Sequence, residues 1–213
     1  DRTRARLAPL LDGSGPQPFA PDLVDQTLLT TLAGQLAPMI ERTLVLEMHV
    51  ARLQGQLSGA TPEERFASFA ARLRDRTVRR TLLAEYPVLA RQLVNRARQT
   101  SDALAELLER LAADWPDLLA TFFPGAAPGR LEAIAFGEGD THAGGRSVAI
   151  LQFAGGARIV YKPRSLRVDA LFQRLLSWLN ARGADPAYRL LRVLERDGYG
   201  WAEFVERAPC ATP

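Results

Sequence analysis

Lys162 is the single lysine in a chain whose Lys+Arg count is 27, so the other 26 basic side chains are arginine. A sequence that writes arginine at every other basic position has a reason to keep an ammonium at one. The ammonium is a compact point charge suited to a phosphate oxygen, whereas guanidinium is a wide planar fork. Lys162 lies close behind a polar, glycine-rich stretch, Gly137–Gly145, which reads GEGDTHAGG. There Gly137 with Gly139, and Gly144 with Gly145, let the backbone take φ > 0 and turn N–H groups toward an anion. Between the two pairs, Asp140 and His142 stand two residues apart and project to the same side of an extended backbone. An acid beside an imidazole can move protons near neutral pH; an Asx-type turn with a solvated histidine is the plain alternative. Arg146 and Arg164 flank the loop and the hairpin that follows it, each able to clamp a phosphate bidentately or to serve as a surface charge. Asp169 can pair with the Lys162 ammonium, or can serve as a first-turn carboxylate on the helix dipole.

These groups need strands and a helix to hold them. Leu131–Phe136 reads as a first strand feeding the glycine loop. Ser147–Phe153 and Ala157–Lys162 follow as strands around an Ala154-Gly155-Gly156 hairpin turn. Pro163 ends the last of these, and Ser165 can cap a helix running to about Arg182. That helix shows Leu171, Phe172, Leu175, Leu176 and Leu179 on one face and stops at Gly183. Two more strands, about Tyr188–Leu194 and Gly200–Val205, are joined by Arg196-Asp197-Gly198. Five strands with one helix between the third and fourth is the layout of a kinase small lobe, where a glycine loop covers phosphates and a lysine reaches them. Two departures stand out: GEGDTHAGG does not match GxGxxG, and the helix offers Asp169 and Gln173 where protein kinases use a glutamate.

Upstream, the period is helical from Pro21 to about Phe123, after a Gly/Pro/Arg-rich entry segment. Pro38 is expected to interrupt the first helix, with a second over about Met39–Leu57. Thr61-Pro62-Glu63-Glu64 is a strong helix start with a capping box. Pro87 opens the next unit, with Val88–Ala113 helical. Pro124–Gly129 (PGAAPG) is the clearest boundary, beyond which the period turns strand-like. The expected fold class is α+β: an N-terminal helical bundle region (1–123), a linker (124–129), and a kinase-like small lobe (130–213), truncated before its large lobe. His49 reads as a core or interface histidine, and Trp115, Trp178 and Trp201 as packing residues.

The composition is that of a globular chain, 47% hydrophobic and 24% charged. Its net charge of +3 comes without a run of like charges, so nucleic acid is not an expected partner. Cys210 stands alone, which excludes an internal disulfide and a cysteine-built zinc site. With no long apolar run and no signal peptide, the expectation is a cytoplasmic protein without a membrane span. The Asp1 start and the stop just past a strand suggest part of a longer protein.

Three motifs carry a resemblance. GDTHxxGRSV at Gly139–Val148, VYKPRSLxVDxxFQxLLxWLN at Val160–Asn180 and YGWxEFV at Tyr199–Val205 resemble the dehydratase part of the class II lanthipeptide synthetases, the LanM family. The upstream run ERTLVLEMHVARLQGQLSGATPEERFASF and the EYPVLAR segment at Glu85–Arg91 are similar to it as well. The resemblance covers nearly the whole chain. It implies an enzyme that phosphorylates Ser/Thr of a precursor (leader–core) peptide with ATP and Mg2+, then eliminates phosphate to leave dehydroamino acids. It implies a lipid-kinase-like fold with additions, metal ligands outside this segment, and zinc only in a separate cyclase domain. It places Asp140 and His142 in the dehydratase site; the residue reading adds Lys162 to the catalytic set and puts Gly144, Gly145, Arg146, Lys162 and Asp169 toward the nucleotide. Whether Asp140 and His142 serve phosphorylation or elimination is left open, and this segment alone is expected to be inactive. Other classes to weigh are a non-catalytic leader-binding module and a small-molecule or lipid kinase.

Overall fold

The computed structural model describes residues 5–8 and 19–206, and for residues 21 and 137–143 the backbone path alone. Four helices come first: α1 over Pro21–Leu53, α2 over Pro62–Arg72, α3 over Arg76–Glu85 and α4 over Pro87–Phe122. The local start signals are met. At α2 the Thr61 hydroxyl accepts from Glu64 N at 3.2 Å, and the Glu64 carboxylate accepts from Thr61 N at 3.1 Å and Ala60 N at 2.6 Å. At α3 the Asp75 carboxylate accepts from Thr77 N at 2.6 Å.

The prolines do not break the long helices. Pro38 lies inside α1 and Pro116 inside α4, so the expected interruption at Pro38 and the expected end near Ala113 are both corrected. An interior proline removes one hydrogen bond and pushes on the carbonyl four residues back. Both helices nevertheless continue through their prolines.

The sheet is built from β1 (Leu131–His142), β2 (Arg146–Phe153), β3 (Arg158–Lys162), β4 (Val193–Arg196) and β5 (Tyr199–Glu203). All neighbours are antiparallel, in the order β1-β2-β3-β5-β4. α5 (Arg167–Ala181) lies between β3 and β4 in sequence. The protein is thus α+β, a helical N-terminal region followed by a five-stranded antiparallel sheet.

Two strand expectations change. The glycine stretch is not an open loop, because β1 runs through it to His142 and only Ala143–Gly145 turns. β2 supplies ladder partners for that extension, with Glu138 opposite Val148 and His142 opposite Arg146. Before β4, the expected strand from Tyr188 does not form until Val193. Side chains of α5 take the backbone groups instead: Asn180 accepts from Tyr188 N and donates to its carbonyl, both at 2.8 Å, and Gln173 accepts from Leu191 N at 2.8 Å.

These bonds turn α5 around. Its polar Asp169, Gln173 and Asn180 face inward, while Val168, Leu171, Phe172, Leu175 and Trp178 are 49–75% exposed. At 100° per residue those five positions span an arc of about 120°, the width of stripe that ordinarily faces a core. Trp178 is therefore an exposed ring, stacked under the Arg182 guanidinium at 3.7 Å.

By contacts the chain divides into two compact units, Asp1–Thr31 with Gln99–Pro213, and Leu32–Arg98. Pro124–Gly129 is where helix gives way to strand, while packing groups the C-terminal part of α4 with the sheet. In that unit Leu104, Leu107, Leu108, Leu111 and Leu118 of α4 bury against Leu151, Phe153, Ile159 and Trp201 of the sheet. In the other unit α1 and α2 border an apolar groove of about 390 Å³ lined by Ile40, Leu44, Met48, Phe66, Phe69 and Leu73. His49 is exposed there.

Candidate functional site at the end of the sheet

Strand direction brings the candidate residues to one end of the sheet. The antiparallel register sets the C-terminal end of β1 against the start of β2, the end of β3 and the start of β5. The turn Ala143–Gly145, Lys162 and Tyr199 thus share an edge although up to 56 residues separate them in sequence. Alternation then divides the faces. Ser147, Ala149, Leu151, Ile159 and Tyr161 are buried on one side, and Val148, Ile150, Val160 and Lys162 are half-buried on the other. Lys162 therefore lies across the sheet from the α4 core.

Its ammonium meets Asp169 in the first turn of α5, Nζ to Oδ1 at 3.3 Å, with 27% and 25% of the two side chains exposed. Arg164 shares the same carboxylate, Nη1 to Oδ2 at 2.9 Å and Nη2 to Oδ1 at 3.4 Å. Asp169 is thus a bridging acceptor for both cations rather than only a dipole carboxylate. Partial burial alone would raise its pKa; the Arg164 hydrogen bond with the charges of Lys162 and Arg164 outweighs that and holds it below the usual range. Directly behind Lys162, its ladder partner Gly200 leaves no room for a side chain. A Cβ there would lie 2.7 Å from Leu166 Cδ1 and 2.8 Å from the Leu194 carbonyl.

The turn is seated on α4. Gly144 and Gly145 take φ of 77° and 80°, which favours glycine, and a Cβ on Gly145 would come within 2.7 Å of Gln99 Cβ. Arg146 pairs with Glu106 of α4, Nε to Oε2 at 2.7 Å. So Gly145 and Arg146 are engaged with the helix, and Lys162 with Asp169. Beside the turn lies a polar cleft of about 670 Å³, lined by Arg6, Gln99, Asp102, Glu106, Arg110 and Arg146 among others. The side chains of Asp140 and His142 lie outside the described residues, as does Cys210; the structure gives the backbone of the first two as the end of β1.

Sequence reading missed the charged groups under the sheet. Glu106 also pairs with Arg110 at 2.5 Å, and Arg110 donates to the Tyr161 hydroxyl at 2.5 Å while its guanidinium lies 4.1 Å over the Tyr199 ring. Asp114 is buried and accepts from Trp201 Nε1 and Arg196 Nε, both at 2.7 Å. The spacing Glu106–Arg110–Asp114, four residues apart, is the signal that could have found them, since it puts all three on one helix face. Among the described residues no group of three or more His, Cys, Asp or Glu is placed to hold a metal ion. No helix among them is long and apolar enough to cross a membrane.

The chain is similar to known proteins in two comparisons. A family model described as "Domain of unknown function (DUF4135)" covers residues 86–213. The lacticin 481/lactococcin biosynthesis protein LcnDR2 of Lactococcus lactis subsp. lactis is 24% identical over 177 residues, 79% of this chain. The chain covers 19% of that relative's length. The resemblance to class II lanthipeptide synthetases read from the motifs is borne out by these matches.

Proposed function

The chain belongs to the DUF4135 family, and from that premise we propose that it forms part of a lanthipeptide dehydratase, acting on a precursor peptide. The reaction proposed is phosphoryl transfer from ATP to Ser/Thr, followed by elimination of phosphate. One observation carries this reading: the sole lysine stands at the sheet end that also bears the glycine turn, held by a carboxylate seven residues on.

The residues fit a polyphosphate. The Lys162 ammonium has three donors, and Asp169 takes one of them at a rather long 3.3 Å. Asp169 keeps the lysine extended along the sheet edge, and Arg164 shares the anion so that the ammonium is not fully neutralised. The half-buried Val148, Ile150 and Val160 on the Lys162 face offer the apolar surface on which a nucleobase can lie. Bound ATP would supply the transferable phosphoryl group; the chain's part is to bind and orient its phosphates. Magnesium ligands are a different matter, because Asp169 is already taken up by two cations. We assign metal binding to other residues and derive no step through it. Asp140 and His142 remain our candidates for proton transfer, in phosphorylation or in elimination.

The test is made in an enzyme that contains this segment. Lys162→Arg should lose peptide phosphorylation nearly as badly as Lys162→Met, because a misplacement of ~1 Å at a transition-state contact costs on the order of a hundredfold. In Asp140→Asn or His142→Ala, accumulation of a phosphorylated peptide by mass would assign that residue to elimination, and unmodified peptide to phosphoryl transfer. Dehydration at wild-type rate in both Lys162 variants would defeat the site.

A further inference from the structure

We infer that Glu106 of α4 is the positioning residue that sets the glycine turn and the Lys162 strand in one alignment, an inference that rests on the nucleotide reading above. Its two oxygens serve two strands. Oε2 accepts from Arg146 Nε at 2.7 Å, at the foot of the turn, and Oε1 takes Arg110 Nη2 at 2.5 Å. Arg110 passes the link on to the Tyr161 hydroxyl at 2.5 Å, and Tyr161 immediately precedes Lys162 in β3. Two helical turns earlier on α4, Gln99 fills the space that a side chain at Gly145 would need. The turn is thereby fixed by a steric seat and an ionic tie on the same helix.

Isolated exposed ion pairs contribute little, but this one is different in kind. The Glu106 side chain is only 18% exposed and is shared by two guanidinium groups that approach each other because it lies between them. Taking its charge away leaves Arg146 and Arg110 in mutual repulsion. That removes the Glu106 tie from the foot of the turn, while Arg110 keeps its place over the Tyr199 ring. Leu151 and Ile159 are held by the apolar core they share with the α4 leucines, so the loss is local to the turn and the end of β3. A turn that must be re-ordered on each binding event weakens phosphate binding without changing the chemistry that follows.

The experiment compares Glu106→Gln with wild type in two ways, with Glu106→Asp as the conservative rescue. In the 213-residue chain, amide exchange should quicken by about fivefold across residues 137–146 and stay unchanged at Leu151 and Ile159. In an enzyme carrying this segment, KM for ATP should rise about fivefold while kcat changes by less than about twofold, and Glu106→Asp should recover part of the loss. Unchanged exchange in Glu106→Gln overturns the tie. Faster exchange with an unaltered KM for ATP overturns its service to the nucleotide site, as does a fall in kcat at constant KM. A wild-type enzyme that does not use ATP overturns the nucleotide reading itself, a result distinct from either.

Discussion

Tyr199 shows how one side chain registers its surroundings. Its phenol is pushed up to about 12, first by removal from water and then by its hydrogen bond to the Asp114 carboxylate. The neutral phenol is the form the fold favours. Stability from this group is complete below pH 10, the ordinary phenol value, and is lost as pH rises toward 12. An alkaline titration followed by phenolate absorbance should find Tyr199 ionising last, and Tyr199→Phe should delete that step. The variant should also lose less melting temperature than wild type between pH 10 and 12. A wild-type curve without a step near 12 would contradict the contact. Asp169, the partner of Lys162, follows the same logic in reverse sign. Its pKa is depressed, so its contribution is present above about pH 4 and is lost as pH falls below it.

At the scale of elements, α5 is the piece whose orientation hydropathy could not supply. Apolar residues at Leu171, Phe172 and Leu175 announce a helix correctly, with bounds within two residues of those observed. They do not say which side faces the sheet, because that is decided by hydrogen bonds to a segment that has no strand partner. Asn180 and Gln173 provide those bonds to Tyr188 and Leu191. Asn180→Ala should destabilise the fold by about 1–2 kcal/mol in urea unfolding, and Asn180→Asp by less, since it keeps the acceptor for Tyr188 N. Equal stability of Asn180→Ala and wild type would show that water replaces the amide fully. The same lesson applies to β1. Its glycines predicted a loop because glycine permits one, whereas the ladder to β2 extends the strand and leaves three residues to turn. Capping at Thr61 and the strand-to-lysine layout were legible because both are local. The α4 charges were not, since their partners lie up to 87 residues away.

Over the whole sheet-bearing unit, Asp114 is the carboxylate that fastens helix to strands. It reaches Trp201 of β5 and Arg196 of β4 from the C-terminal third of α4, and Asp117 adds a second tie to Arg196. Removing one partner of a buried charged pair leaves the other uncompensated, a loss of several kcal/mol. Arg196 keeps some access to water, so Asp114→Asn should cost about 2–3 kcal/mol, seen together in tryptophan fluorescence and far-UV circular dichroism. A shift in the fluorescence midpoint alone would mean that Asp114 orders only its neighbourhood of Trp201. The outward stripe of α5 bears on the molecule in yet another way, through what substitution it can absorb. Along most helices, polar replacements are absorbed on the outside and punished within. Here the outer positions Val168, Leu171 and Leu175 are apolar and open, while the inner Gln173 and Asn180 hold backbone. In a library screened only for folding, α5 would accept charge at Leu171 and Leu175 and refuse leucine at Gln173 and Asn180.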